Sequence, residues 1–154
     1  MKNWKLGVVL ALAVAGPLQA RDAGELAWDA RVEPVPGQAG QVELVFTTPI
    51  HEGWIVYASD FTPGEFGPRP AKVQLRGGGQ PLQPPVSEGA RAGSGRSFAG
   101  EYHYTYFAGQ ATFRQKVQLE PGAREVSGVL NGQSCFEESG LCTLFSQSFA
   151  IALE

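Results

Sequence analysis

Cys135 and Cys142 are the only cysteines in the chain, and their spacing makes them the residues best placed to do chemistry. Six residues, Phe136-Glu137-Glu138-Ser139-Gly140-Leu141, lie between them. If the flanking segments form a hairpin, the sulfurs meet near its tip, because directly opposed residues on paired strands lie within reach of a disulfide. Such a cystine closes a very short loop, and stabilisation by cross-linking grows with loop length, so the bond is a weak staple. A domain of this size also builds enough core without one. Glu137 and Glu138 disfavour a nearby thiolate, so neither thiol is a primed nucleophile. The pair better suits a protein whose docked partner supplies the attacking thiolate. Spacing alone leaves two roles open, a structural cystine and a redox-active one.

Other chemistry has less support. His51 and His103 could join the two cysteines as a Cys2His2 zinc set, yet neither histidine shows a ligand spacing such as H-x₃₋₅-H. No metal or other cofactor is expected. There is no Ser/His/Asp signature, no glycine-rich phosphate loop before a helix, and no carboxylate pair beyond Glu137-Glu138, which gives hydrolase and nucleotide readings nothing to stand on.

The elements that must position the cysteines are strands. Gln41 to Thr48 places Val42, Leu44 and Phe46 on one face, Ala111 to Leu119 alternates Phe113, Val117 and Leu119 with polar residues, and Ser148 to Leu153 groups Phe149, Ile151 and Leu153. This period of two is the pattern of half-buried strands. Trp28 to Val35, Trp54 to Ala58, Lys72 to Leu75, Tyr102 to Phe107 and Glu125 to Leu130 are further candidates, and no segment outside the first twenty residues shows helical periodicity. Turn signals such as Pro36-Gly37, Pro63-Gly64, Pro121-Gly122 and Asn131-Gly132 separate them. About eight short strands with such punctuation predict an all-β, immunoglobulin-like antiparallel β-sandwich. Gly77 to Ser97, rich in Gly, Pro and Ser, reads as a long surface loop with one short strand near Val86. The Tyr102-His103-Tyr104-Thr105-Tyr106-Phe107 run reads as a strand with aromatics on both faces.

The start of the chain has the form of a secretory leader. Lys2 and Lys5 precede the apolar run Leu6 to Ala15, and Gly16-Pro17-Leu18-Gln19-Ala20 supplies small residues at a cleavage point. Residues 1–20 are therefore expected to be a signal peptide and 21–154 a single domain. The apolar run is too short to cross a bilayer, which takes about 20 apolar residues. No cysteine stands at the cleavage point to carry a lipid, so no membrane anchor is expected. Twelve basic residues less Lys2 and Lys5, against 15 acidic ones, leave the mature chain at −5. That balance, without a basic cluster, argues against nucleic acid and anionic lipid as partners.

Three motifs carry a resemblance to a family. Ile50-His51-Glu52-Gly53-Trp54-Ile55-Val56-Tyr57, followed by Gly67-Pro68-Arg69-Pro70-Ala71 and a strand, resembles the aromatic-rich early region of the N-terminal periplasmic domain of the thiol:disulfide interchange protein DsbD. Val126-Ser127-Gly128-Val129 through Cys135 and Cys142 to a closing apolar strand resembles that domain's redox hairpin. Arg96-Ser97-Phe98-Ala99-Gly100-Glu101-Tyr102 resembles its cap loop. Order and approximate spacing agree over most of residues 26–153. The six-residue loop between the cysteines is longer than the family pattern, and Thr143-Leu144-Phe145 replaces an aromatic or apolar plus proline run.

The resemblance implies an immunoglobulin-like domain in the periplasm that shuttles electrons by thiol–disulfide exchange. The donor would be a membrane-embedded thiol transporter of DsbD or CcdA type, and the acceptors periplasmic thioredoxin-fold proteins serving disulfide isomerisation or cytochrome c maturation. Cys135 and Cys142 would be the redox pair, with Cys142 the site of the mixed disulfide. Phe98 would cap the disulfide, and Trp54 and Tyr57 would form an aromatic floor beside it. The sequence stops at Glu154, just after the last strand, so the redox partners are expected on separate polypeptides. The alternative is an exported β-sandwich binding module with a purely structural cystine. For Trp54 and Tyr57 the plainer alternative is core packing.

Overall fold

The computed structural model describes residues 25–154. The signal-peptide expectation for residues 1–20 lies outside the described residues. Among the described residues there is no helix, and eleven strands form two sheets. In chain order they are β1 (Asp29–Pro34), β2 (Gln41–Pro49), β3 (Trp54–Tyr57), β4 (Lys72–Gly77), β5 (Gly79–Pro81), β6 (Val86–Ser87), β7 (Arg91–Ser97), β8 (Gly100–Phe107), β9 (Gln110–Leu119), β10 (Glu125–Phe136) and β11 (Cys142–Ala152).

The first sheet runs β1-β2-β9-β5, with β6 also paired to β9, and every pairing is antiparallel. Its inner face comes from the alternation of β2 and β9. Val42 opposes Val117, Leu44 opposes Gln115 and Phe46 opposes Phe113, and all six side chains are buried. Gln115 is the polar member of this row, and its amide donates to the carbonyl oxygens of Gln83 at 2.6 Å and Lys116 at 2.9 Å. A buried amide needs such partners to avoid an uncompensated desolvation cost.

The second sheet runs β11-β10-β3-β8-β7, with β4 also on β10. Its spine is β10, twelve residues long. One edge of β10 pairs with β11 from Glu125↔Ala152 to Cys135↔Cys142. The other edge pairs first with β4 and then with β3. Val126, Leu130 and Ser134 point to the core, so by the two-residue period Gln133 and Cys135 point to the outer face.

Aromatic rings join the layers. Phe46 of β2 meets Phe149 of β11 at 4.9 Å between centroids, and Phe113 of β9 meets Phe107 of β8 at 5.2 Å. Each buried Phe of this kind contributes about 1.5–3 kcal/mol by leaving water. Gly132 of β10 faces Phe145 of β11, whose ring occupies the space a side chain would fill, 2.3 Å from the position of a Cβ.

The fold class matches the sequence expectation, with one correction. Gly77 to Ser97 is not a long loop around one short strand, because it holds β5, β6 and β7. The sequence of β7, Arg91-Ala92-Gly93-Ser94-Gly95-Arg96-Ser97, lacks apolar alternation because tyrosines of the neighbouring strand supply the apolar cover. Gly93 opposes Tyr104 and Gly95 opposes Tyr102, with each ring lying over its glycine. Tyr102, Tyr104 and Tyr106 thus share one face of β8, while Phe107 points to the core.

Candidate functional site

The two cysteines form a disulfide at the turn end of the β10–β11 hairpin, with Cα atoms 4.0 Å apart. A tight loop closes the hairpin. Phe136 N donates to Leu141 O at 2.8 Å, and Gly140 N donates to Phe136 O at 2.9 Å. The loop is tied to the turn that precedes β3, since Glu137 N donates to Gly53 O at 2.9 Å. Gly53 stands at φ +80°, a left-handed conformation that suits glycine, and the Phe136 ring packs where a side chain would project.

The sulfurs differ in surroundings. Cys135 is central in the sheet, between Ile55 of β3 and Cys142 of β11, and is 4% exposed. Cys142 is the first residue of the edge strand and is exposed. Gln133, two residues before Cys135 on the same face, places its amide nitrogen 3.7 Å from Cys135 Sγ in donor geometry. Its amide oxygen accepts from the Arg69 backbone N–H at 2.9 Å. Beside Cys142 stands instead an acceptor, the Gly140 carbonyl oxygen, 3.5 Å from Sγ.

The outer face around the cystine is partly apolar. Leu141 and Leu144 flank Cys142 and are 62% and 64% exposed. A groove of about 600 Å³ runs along this face, lined by Pro63, Arg69, Lys72, Asn131 and Leu144 among others. Two basic residues, Arg69 and Lys72, are among its lining, and the backbone N–H of Arg69 also fixes Gln133.

The expected aromatic surround is only partly assembled. Tyr57 shares the outer face with Ile55, the strand partner of Cys135. Burial, helped by nearby Tyr104, Tyr102 and Glu137, pushes its phenol up to about 12. Tyr57 therefore stays a neutral hydroxyl, and its ring meets Tyr104 edge-on at 5.2 Å. Trp54 does not join it. The strand period turns Trp54 to the opposite face, where it packs on Phe136 at 5.6 Å and against the core. Phe98, the expected cap, rests on another aromatic ring. It sits in the β7–β8 turn, 87% exposed, with its ring 4.2 Å from that of Phe66. Phe66 offers an apolar partner in the β3–β4 connection that the local sequence around Phe98 does not reveal.

Gln133 and Ile55 were not singled out from sequence. The signal for Gln133 is present, because a residue two positions before a strand cysteine shares its face. The signal for Ile55 is absent, because strand pairing between residues eighty positions apart is a tertiary fact. No group of three or more His, Cys, Asp or Glu residues that could hold a metal occurs among the described residues.

Comparison with known proteins gives no matching family model and no matching curated protein. Solved structures do match. The N-terminal periplasmic domain of ScsB from Proteus mirabilis superposes with a TM-score of 0.56 at 18% identity, covering 81% of this chain. The chain spans 45% of the length of that structure. The N-terminal domain of DsbD from Neisseria meningitidis, crystallised in the reduced form, matches with a TM-score of 0.45 at 18% identity over 75% of this chain and 78% of its own. The chain has the fold of the N-terminal periplasmic domain of ScsB, an immunoglobulin-like β-sandwich.

Proposed function

We propose that this protein is a periplasmic thiol–disulfide exchange protein that relays electrons through the Cys135–Cys142 disulfide. The observation that carries the proposal is the asymmetry of the pair, with Cys142 exposed on an edge strand and Cys135 buried beside it. Exchange needs a sulfur that a visiting thiolate can reach. In the forward step a thiolate of a partner dithiol attacks Cys142 Sγ, the bond to Cys135 breaks, and its electron pair stays on Cys135 as a thiolate. A mixed disulfide then joins the partner to Cys142. The partner's second thiolate displaces Cys142, so that the partner leaves as a disulfide and this chain holds two thiols after proton uptake. The reverse sequence passes the two electrons to an acceptor disulfide.

The donor in this proposal is a membrane-embedded thiol transporter, and the acceptors are thioredoxin-fold proteins of the periplasm. The leader-like first twenty residues support that compartment, as does the periplasmic origin of the similar ScsB domain. Exposed Leu141 and Leu144 beside Cys142 offer a partner apolar contact without burying the sulfur permanently.

The test is a reduction potential together with a trap. The pair is expected to equilibrate with glutathione buffers at a potential above about −300 mV, the level below which structural cystines typically fall. A Cys135→Ser variant is expected to hold a mixed disulfide through Cys142 with a thioredoxin-fold protein. A potential below that level and no trapped adduct would return the cystine to a structural role in a binding module.

A further inference from the structure

The orientation of the Gln133 amide is settled by its partner. A backbone N–H can only donate, so the atom that Arg69 N meets at 2.9 Å must be the amide oxygen. The amide NH₂ is thereby turned towards Cys135 Sγ, 3.7 Å away. The carbonyl oxygen of Gly140, a pure acceptor, lies 3.5 Å from the other sulfur. A donor favours negative charge on the sulfur it faces, and an acceptor disfavours it.

We infer that Gln133, held by the Arg69 backbone, selects the leaving sulfur: it stabilises the thiolate that develops on Cys135 and so directs incoming thiolates to Cys142. This inference rests on the exchange reading and adds the residue that gives the reaction its direction. When a thiolate attacks Cys142 the negative charge appears on Cys135, where the amide N–H waits. Attack on Cys135 would place the charge on Cys142, against the Gly140 oxygen, and would also require entry to a sulfur that is 4% exposed. Electrostatics and access thus favour the same bond-breaking direction. A donor already aimed at the site of developing charge needs no reorganisation during the step.

The experiment compares wild type with Gln133→Leu and Gln133→Glu in the oxidised full chain, at fixed pH. It reads the rate of reduction by dithiothreitol, the potential against glutathione buffers, and the share of glutathione adduct on Cys142 by peptide mass. Gln133→Leu removes both the tether and the donor. Gln133→Glu keeps the size and the acceptor for Arg69 N–H but sets a carboxylate against the sulfur. Loss of a hydrogen bond to a charged group predicts about a tenfold slower reduction for Gln133→Leu. Gln133→Glu is expected to be slower still, with a more reducing potential and a smaller share of adduct on Cys142. If Gln133→Glu matches wild type in rate and adduct position, Gln133 is only a tether and the inference fails. If the wild-type cystine itself resists dithiothreitol, the exchange reading fails first and this inference with it.

Discussion

Cys142 lies directly across the strand pair from Cys135, yet one sulfur is presented at the sheet edge and the other is enclosed between Ile55 and Gln133. Both belong to the outer face of the second sheet, away from the aromatic core that joins the layers. The bond therefore does not hold the sandwich together. It can open while Phe46, Phe113, Leu130 and Phe149 stay packed.

Reduction should cost little stability. The loop closed by the bond spans a sequence separation of 7, and the chain-entropy relation gives a stabilisation of about 2.5 kcal/mol for a loop that short. Urea unfolding with and without reductant should show a drop no larger than about that value, with the far-ultraviolet spectrum retained. Complete unfolding on reduction would show that the cystine is a main structural support.

Phe98 should not govern access in the state described. Its ring is 87% exposed and rests on Phe66, so it covers little besides that ring. Phe98→Ala should change the rate of reduction by small thiols less than about twofold, well under the effect expected for a displaced lid. A large acceleration, read in the same assay, would reveal a closed conformation in which Phe98 leaves Phe66 for the cystine.

Two neighbours on the inner face of β10 should respond to alanine with opposite signs. At Gly132 a Cβ would meet Phe145, whose ring is already packed on Trp28 at 5.4 Å between centroids. Gly132→Ala should destabilise by about 1–3 kcal/mol through overpacking. Ser134 is 1% exposed, and its hydroxyl has no hydrogen-bond partner among the described residues. Ser134→Ala should therefore stabilise, by about 1 kcal/mol, because an unsatisfied buried hydroxyl is removed. Denaturant midpoints of the two variants decide the matter, and a destabilised Ser134→Ala would show that the hydroxyl is satisfied after all.

Acid should weaken the outer surface of the first sheet. Arg114 forms ion pairs with Glu33, Glu43 and Glu88 from three different segments. Hydrogen bonds from Arg114 and then Arg31 hold the Glu33 carboxyl below its usual 4.5. A lowered native value means that this contribution is full above pH 4.5 and is lost as pH falls through the native value. The stability gap between wild type and Arg114→Met should be flat from neutral pH to about pH 5 and shrink below it. A gap that stays constant down to about pH 3 would show that the ion pairs contribute nothing.

Much of this molecule follows from the order of its residues. Alternation in Gln41–Pro49 and Gln110–Leu119 sets which side chains face inward, because side chains on a strand alternate between faces. The same rule, with a turn between Phe136 and Leu141, brings Cys135 opposite Cys142. The strand β7 was not legible, because its glycines gain their cover from Tyr102 and Tyr104 across the ladder and show no pattern of their own.

The inequality of the two sulfurs was decided only by the tertiary structure. That β10 is paired on both edges at Cys135, while β11 with Cys142 forms the border, depends on β3 joining a strand eighty residues away. The placement of Trp54 behind the sheet, of Phe98 on Phe66, and of the Gln133 amide between Arg69 and Cys135 depends on contacts between distant segments. Local propensity sets the period of a strand, whereas burial and charge at a given sulfur come from whichever segments the whole chain packs around it.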